Sequence, residues 1–322
     1  MRATALLLPL LPTAVLLSQQ EPAVQPERTL VDFARPGEAA RWRTVLDGVM
    51  GGRSTGSFVV EEGAMRFTGV LNTNGGGFSS VRRPGKDLRL GQDGEVGVRL
   101  RVRADGRKYT LRLRQPTERR RFAASYRTQF QTEKGDGWQD VYVPYSALRP
   151  TWRGRNLDLP PVDPTKVDEL GLSIDDKIDG PFRIEIQQFA TYGAFDLAAL
   201  RGDRRPLVVF ARDAGDEKLK QQLAAYRDAA RGFDERDVTL VVVYEEGASF
   251  AGDRPLSARD CEALRDRFRR NRRGAEDGFA ALLVGKDGGV KRTSYEPLDT
   301  GDLFGQIDQM PMRRREVRER RR

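Results

Sequence analysis

Three stretches of this chain combine residue types and spacings that could do chemistry. The first is Trp42-Arg-Thr-Val-Leu-Asp-Gly-Val-Met-Gly-Gly-Arg-Ser-Thr-Gly56 and the second is Asn72-Thr-Asn-Gly-Gly-Gly-Phe-Ser-Ser-Val-Arg82. Neighbouring glycines permit positive φ and bare successive N–H groups that can hold an anion. A phosphate loop would need Gly-Lys-Ser or Gly-x-Gly-x-x-Gly between a strand and a helix, and neither is present. Tight turns between strands are the alternative reading of the same residues. The third stretch, Pro150-Thr-Trp-Arg-Gly-Arg155, sets an indole among arginines in a loop. Trp152 there could be a stacking platform for a sugar ring or a partner, or it could seal one end of a sandwich. The candidate binding residues are therefore Asp47, Arg53, Asn74 and Arg82 of the Gly-rich stretches, with Trp152, Arg153 and Arg155 of the third. Trp42 and Trp138 read as core residues.

Carboxylates are the other candidates. Asp175-Asp176 and Asp179 could supply oxygens to calcium, but Lys177 would compete with a cation and the spacing fits a hairpin turn. The turn is the favoured reading, and no metal or cofactor is expected. A glycosidase would need two carboxylates across a cleft, and no segment indicates such a pair. The chain has no His, which removes His-based triads, His general bases and His-ligated metals. It has a single Cys, Cys261, which excludes an intrachain disulfide and a C-x-x-C redox pair.

The elements that must position these residues fall into two textures. From about residue 29 to 192 the pattern is period-two alternation broken by Gly, Asp and Asn. Val96–Arg103, Tyr109–Arg114, Trp138–Pro144 and Phe182–Gln187 alternate apolar with polar residues, so each reads as a strand with one buried face. Many short strands separated by turn signals predict an all-β sandwich. Near residue 193 the texture changes. Leu207–Phe210, Thr239–Tyr244 and Phe279–Val284 are continuous apolar runs, a fourth strand is predicted at Val290–Ser294, and helical patterns run over Asp216–Arg231, Ser257–Arg270 and Thr300–Gln309. Ser257 with Asp260 forms a capping-box variant. The order β-α-β-α-β-β-α is that of a thioredoxin fold, here without Cys at its redox position.

The 322 residues suffice for two such domains, and 38% hydrophobic with 32% charged residues describes a folded, water-compatible chain. Arg2, the apolar run Ala3–Leu17 and the polar break at Ser18–Pro22 read as a secretory signal over residues 1–20, with an uncleaved anchor as the alternative. Cleavage near residues 18–23 leaves no integral membrane span and places the protein in the periplasm or outside the cell. Domains are expected at 28–195 and 204–312, followed by an Arg-rich tail, 313–322, that should be solvated or frayed. The formal charge of +9 raises the question of nucleic acid. Without aromatics between the tail's charges, and with an export signal, nucleic acid is not expected as a partner.

The three stretches above, together with Ala104-Asp-Gly-Arg-Lys-Tyr109, Trp138-Gln-Asp-Val-Tyr-Val-Pro144 and Val167-Asp-Glu-Leu-Gly-Leu-Ser-Ile-Asp-Asp-Lys-Ile-Asp-Gly-Pro-Phe182, occur in an order that resembles the complex I intermediate-associated protein family. That family is named for a mitochondrial assembly factor of NADH:ubiquinone oxidoreductase. The resemblance covers residues 30–192. It implies a galactose-binding-like jelly roll, similar to some carbohydrate-binding modules, and no catalysis. Arg205-Pro-Leu-Val-Val-Phe-Ala211, Leu282-Leu-Val-Gly-Lys-Asp-Gly-Gly-Val-Lys291 and Ile307-Asp-Gln-Met-Pro-Met-Arg-Arg314 resemble a bacterial thioredoxin-like family of unknown function over 204–316. The leading functional reading is an exported, non-catalytic, assembly-factor-like protein that binds a protein partner or a glycan through the jelly roll. A carbohydrate-binding module and a carboxylate-dependent hydrolase are the alternatives. Oligomeric state is left open.

Overall fold

A computed structural model of the chain describes residues 27–92, 94–117 and 123–320. The expected signal at 1–20 lies outside them. Among the described residues, the first domain is two antiparallel sheets packed face to face. One runs Thr55–Glu61, Ala64–Leu71, Gly180–Gly193, Glu95–Ala104, Gln139–Pro144, with Arg28–Asp32 also paired to Gly180–Gly193. The other runs Arg155–Asn156, Arg149–Trp152, Ala123–Gln131, Lys108–Pro116, Glu169–Ile174, Ser79–Pro84, Arg43–Leu46. This is a jelly-roll sandwich.

Alternation explains which side of each strand is buried. In Glu95–Ala104, Val98, Leu100 and Val102 point inward while Arg99, Arg101 and Arg103 stay at the surface. In Lys108–Pro116, Tyr109, Leu111 and Leu113 join the same core, which also takes Phe67, Leu172, Ile184 and Phe189. Trp42 belongs to it too: its ring stacks on Phe189 at 5.6 Å and its Nε1 donates to Glu38 at 3.0 Å. Trp138 does not. It precedes the strand Gln139–Pro144 on the outward parity, is half-buried, and lies under the Arg103 guanidinium at 4.9 Å. The expected core role of Trp138 is corrected accordingly.

The second domain has its own sheet, Arg254–Pro255, Phe250–Ala251, Val238–Tyr244, Arg205–Ala211, Ala280–Val284, Val290–Ser294. Arg205–Ala211 is parallel to Val238–Tyr244 and antiparallel to Ala280–Val284, the arrangement of a thioredoxin-like sheet. The short hairpin Phe250–Pro255 at its edge is an addition that the sequence pattern did not signal. Apolar clusters cover both faces of this sheet. Ser257 caps the helix Ala258–Arg267 in the expected box with Asp260. The helix expected over Asp216–Arg231 is two, Glu217–Asp228 and Ala230–Glu235, and the break turns Phe233 onto Tyr226 at 4.5 Å. Cys261 is buried beside Phe210, Leu264 and Phe268.

The described part of the Arg-rich tail is largely solvated, as expected, but it is ordered and not frayed. Pro311–Arg320 is helical, and Glu316 accepts from Arg205 at 2.8 Å and pairs with Lys286 at 2.8 Å. Arg313 reaches the Glu235 carbonyl at 2.7 Å. The arginines of the tail masked its two docking side chains in a reading by composition. Among the described residues no helix is long and apolar enough to cross a membrane.

Candidate functional site

The outer face of the seven-stranded sheet carries a cleft of about 520 Å³. Its floor follows from strand register. Reading across neighbouring strands, Arg43 pairs with Arg82, Arg82 with Gly171, Gly171 with Arg112, Arg112 with Arg127, and Arg127 with Arg149. Five arginines and one glycine thus form a single cross-strand row. Like charges directly opposite destabilise a sheet, so the row needs compensation. Glu169 supplies some of it, accepting from Arg43 and Arg112, and Asp175 pairs with Arg127 while accepting from Thr110 Oγ1 at 2.6 Å. One row over, Arg114 is held by Asp168 through two 2.8 Å bonds.

Arg82 is the exception in the centre of the row. Its Nε donates to Ser80 Oγ at 3.1 Å, and among the described residues no carboxylate forms an ion pair with it. Burial first, and then the neighbouring Arg112 charge, lower its pKa from the ordinary 12.5 to about 10. Gly171 beside it has no side chain, and the Arg82 stem lies over it. A Cβ at Gly171 would sit 3.3 Å from Arg82 Cγ and 3.0 Å from the Val81 carbonyl.

The rim comes from three loops. Trp152 and Arg155 pair across a two-residue turn in which Arg153 and Gly154 both have positive φ, 48° and 80°. Trp152 is 40% exposed, and the Arg153 guanidinium lies 4.8 Å from its ring centre. Met50 and Lys177 line the opposite side, each beside an exposed apolar residue, Val49 and Ile178.

The structure brings together three of the seven candidate binding residues, Arg82, Trp152 and Arg153, at this cleft. Arg53, Asn74 and Arg155 are exposed but do not line it. Asp47 is corrected outright, because it is fully buried. Its carboxylate accepts from Ser54 N at 3.0 Å, Ser54 Oγ at 2.6 Å, Gly77 N at 2.7 Å and Phe78 N at 3.3 Å. Burial raises its pKa, but these bonds outweigh burial and hold the carboxyl below the ordinary range. Gly52 and Gly76 press against it so closely that an added Cβ would lie 2.2 Å and 2.5 Å from carboxylate atoms. The Gly-rich stretches are therefore wrapped around an internal anion and are not built to receive an external one.

Asp175, Asp176 and Asp179 go to three different partners, Arg127, Arg107 and the Thr73 N–H. The segment is a connection from one sheet to the other, because Glu169–Ile174 and Gly180–Gly193 belong to different sheets, and the expected hairpin is corrected accordingly. Among the described residues Asp175 is the one carboxylate lining the cleft, and Arg127 holds it. The sequence reading missed Arg112, Arg114 and Arg127, although each sits on the polar parity of a strand. The signal was a repeated Arg on outward positions of successive strands, and register was needed to align them.

Fold and cleft define a β-sandwich with an open cationic face, joined to a thioredoxin-like domain. Residues 31–186 match the family described as Complex I intermediate-associated protein 30 (CIA30), and residues 196–316 match a domain of unknown function, DUF4174. The chain is similar to "Complex I intermediate-associated protein 30, mitochondrial" of Mus musculus, 28% identical over 189 residues, covering 52% of this chain and 56% of the mouse protein. It is also similar to "Probable complex I intermediate-associated protein 30, mitochondrial" of Caenorhabditis elegans, 33% identical over 95 residues, covering 29% of this chain and 28% of that one. The chain thus spans about half the length of the mouse relative and less of the worm one. Among solved structures it is similar to a family 11 carbohydrate-binding module from Clostridium thermocellum, 13% identical, covering 53% of this chain and 97% of the module, with a TM-score of 0.41.

Proposed function

We propose that the protein is an exported, non-catalytic, assembly-factor-like binding protein whose ligand seats on the open face of the seven-stranded sheet. The observation that carries this reading is the cleft itself, a concavity of about 520 Å³ with a polar floor and an exposed apolar rim. The mitochondrial relatives bear the name of a complex I intermediate-associated protein, which supports a protein partner. The thioredoxin-like domain serves as a second binding or scaffolding unit. Its single buried thiol supports a role other than thiol–disulfide exchange. Glycan binding is the second reading, favoured by the exposed Trp152 indole at the rim.

The export part is tested by sequencing the N-terminus of the protein recovered from the periplasm or medium. Loss of residues up to 18–23 is expected, and a cytosolic chain retaining Met1 would refute it. The binding part is tested by cross-linking the mature chain in envelope extract and by a thermal-shift panel of glycans. Trp152→Ala combined with Met50→Ser should abolish whichever interaction is found without lowering the melting temperature. An interaction indifferent to both substitutions would place the ligand elsewhere.

A further inference from the structure

The cross-strand arginine row lies between two apolar shoulders. On one side stands Met50, 58% exposed, with the exposed Val49 before it in the chain; on the other is Trp152. A neutral sugar offers hydroxyl acceptors but no charge to balance the guanidinium floor, and sugars stack on aromatic faces in preference to Val or Met. The indole that could stack is already engaged by Arg153. Side chains that combine carboxylates with aliphatic or aromatic groups would match both floor and shoulders at once.

The geometry points to an acidic, apolar-flanked segment of a protein as the occupant of this cleft, with its central carboxylate on Arg82. This rests on the proposal that the cleft is the binding site and adds the chemistry of what binds. Arg82 fits the role because its neighbours Arg112 and Arg127 already have carboxylate partners, whereas its own fork faces the cleft with Ser80 as its hydrogen-bond partner. A guanidinium takes a carboxylate through two parallel bonds, and Arg82 lines the cleft, where its terminal nitrogens can offer them. The flanking cations Arg153 and Lys177 extend the positive field to both sides of that point. Apolar groups of the segment then lie on Met50.

The test uses the full mature chain and short labelled peptides with Leu and Phe at fixed positions, graded from no Glu to Glu at every second position. Oligogalacturonate, cellotetraose and a Lys counterpart of the richest Glu peptide are run beside them. Affinity should rise with Glu content, fall with added salt, and drop about tenfold or more in Arg82→Met and in Met50→Ser. The Lys peptide should not bind. If oligogalacturonate or cellotetraose binds at the cleft and the Glu peptides do not, the acidic-segment inference is overturned while the cleft remains the binding site. If the Glu peptides bind equally to wild type, Arg82→Met and Met50→Ser, both the inference and the assignment of the cleft are overturned. Binding of no probe overturns the inference as well.

Discussion

Arg82→Met removes a charge that the fold itself disfavours. Arg82 has Arg43 on one flank and Arg112 beyond Gly171 on the other. Its pKa, lowered from 12.5 to about 10, corresponds to about 3 kcal/mol against the charged form if taken without screening. Water at the cleft mouth screens that charge, so about 1 kcal/mol is the working figure. For a base whose folded pKa lies below its unfolded value, this penalty is complete at neutral pH. It fades only as the pH rises through about 10. The substitution breaks one hydrogen bond, and Ser80 Oγ keeps its own acceptor, the Val45 carbonyl at 2.8 Å. Met preserves most of the apolar stem. The ligand-free variant should therefore melt at the wild-type temperature or about 2–4 °C higher, by calorimetry at low ionic strength. Added sodium chloride should narrow the gap, because it screens the Arg–Arg repulsion in the wild type. A fall of several degrees would refute the reasoning, since it would make Arg82 a structural cross-link.

Other substitutions separate scaffold from site. Asp47→Ala strips the acceptor from three backbone N–H groups and one hydroxyl and should cost about 3 kcal/mol in urea unfolding. A loss under about 1 kcal/mol would show that the loops close without it. Glu316→Gln leaves the buried Arg205 guanidinium with only the longer ion pair to Asp237, at 3.7 Å, and should cost about 2 kcal/mol, detected as early melting of the second domain. Burial raises the Glu316 pKa, but hydrogen bonds from Arg205 and Lys286 outweigh burial and hold it below 4.5. Its contribution is therefore complete above about pH 5–6 and lost as the pH falls through 4.5 toward the folded value, so the Glu316→Gln difference should shrink in acid. Cys261→Ala should cost about 1 kcal/mol of packing, and neither protein should reduce insulin. Reductase turnover abolished by that change would overturn the non-redox reading.

Period-two alternation was enough to identify the four strand segments Val96–Arg103, Tyr109–Arg114, Trp138–Pro144 and Phe182–Gln187, but not one such as Glu169–Ile174, which is buried at every position; continuous apolar runs were enough for Leu207–Phe210 and Thr239–Tyr244, because burial pattern is a local property of the chain. The capping box at Ser257 was equally legible, since its two partners are three residues apart. Trp138 was misread because one step of parity moves a side chain from core to surface. The tail was misread because composition gives no view of Glu316 and Arg313, whose partners Arg205, Lys286 and Glu235 lie far away in sequence. Asp47 looked like a ligand residue because glycine beside a carboxylate has two explanations. Glycines can admit a guest, or they can make room for the carboxylate itself, and the second holds at Gly52 and Gly76.

The cleft illustrates a further limit. Arg82, Arg112 and Arg127 are each unremarkable on the wet face of a strand, and each is separately what a soluble sandwich needs. Only the register Arg43–Arg82–Gly171–Arg112–Arg127–Arg149 makes them a row. Such a row works against the sheet that carries it. Glu169 and Asp175 relieve its flanks, so compensation was within reach of the fold, yet the centre is left with a lone glycine and a desolvated charge. Local choices agree with the fold along the flanks of the row and conflict at one half-buried, polar, concave point, and the binding role is proposed there because, among the described residues, no carboxylate forms an ion pair with Arg82.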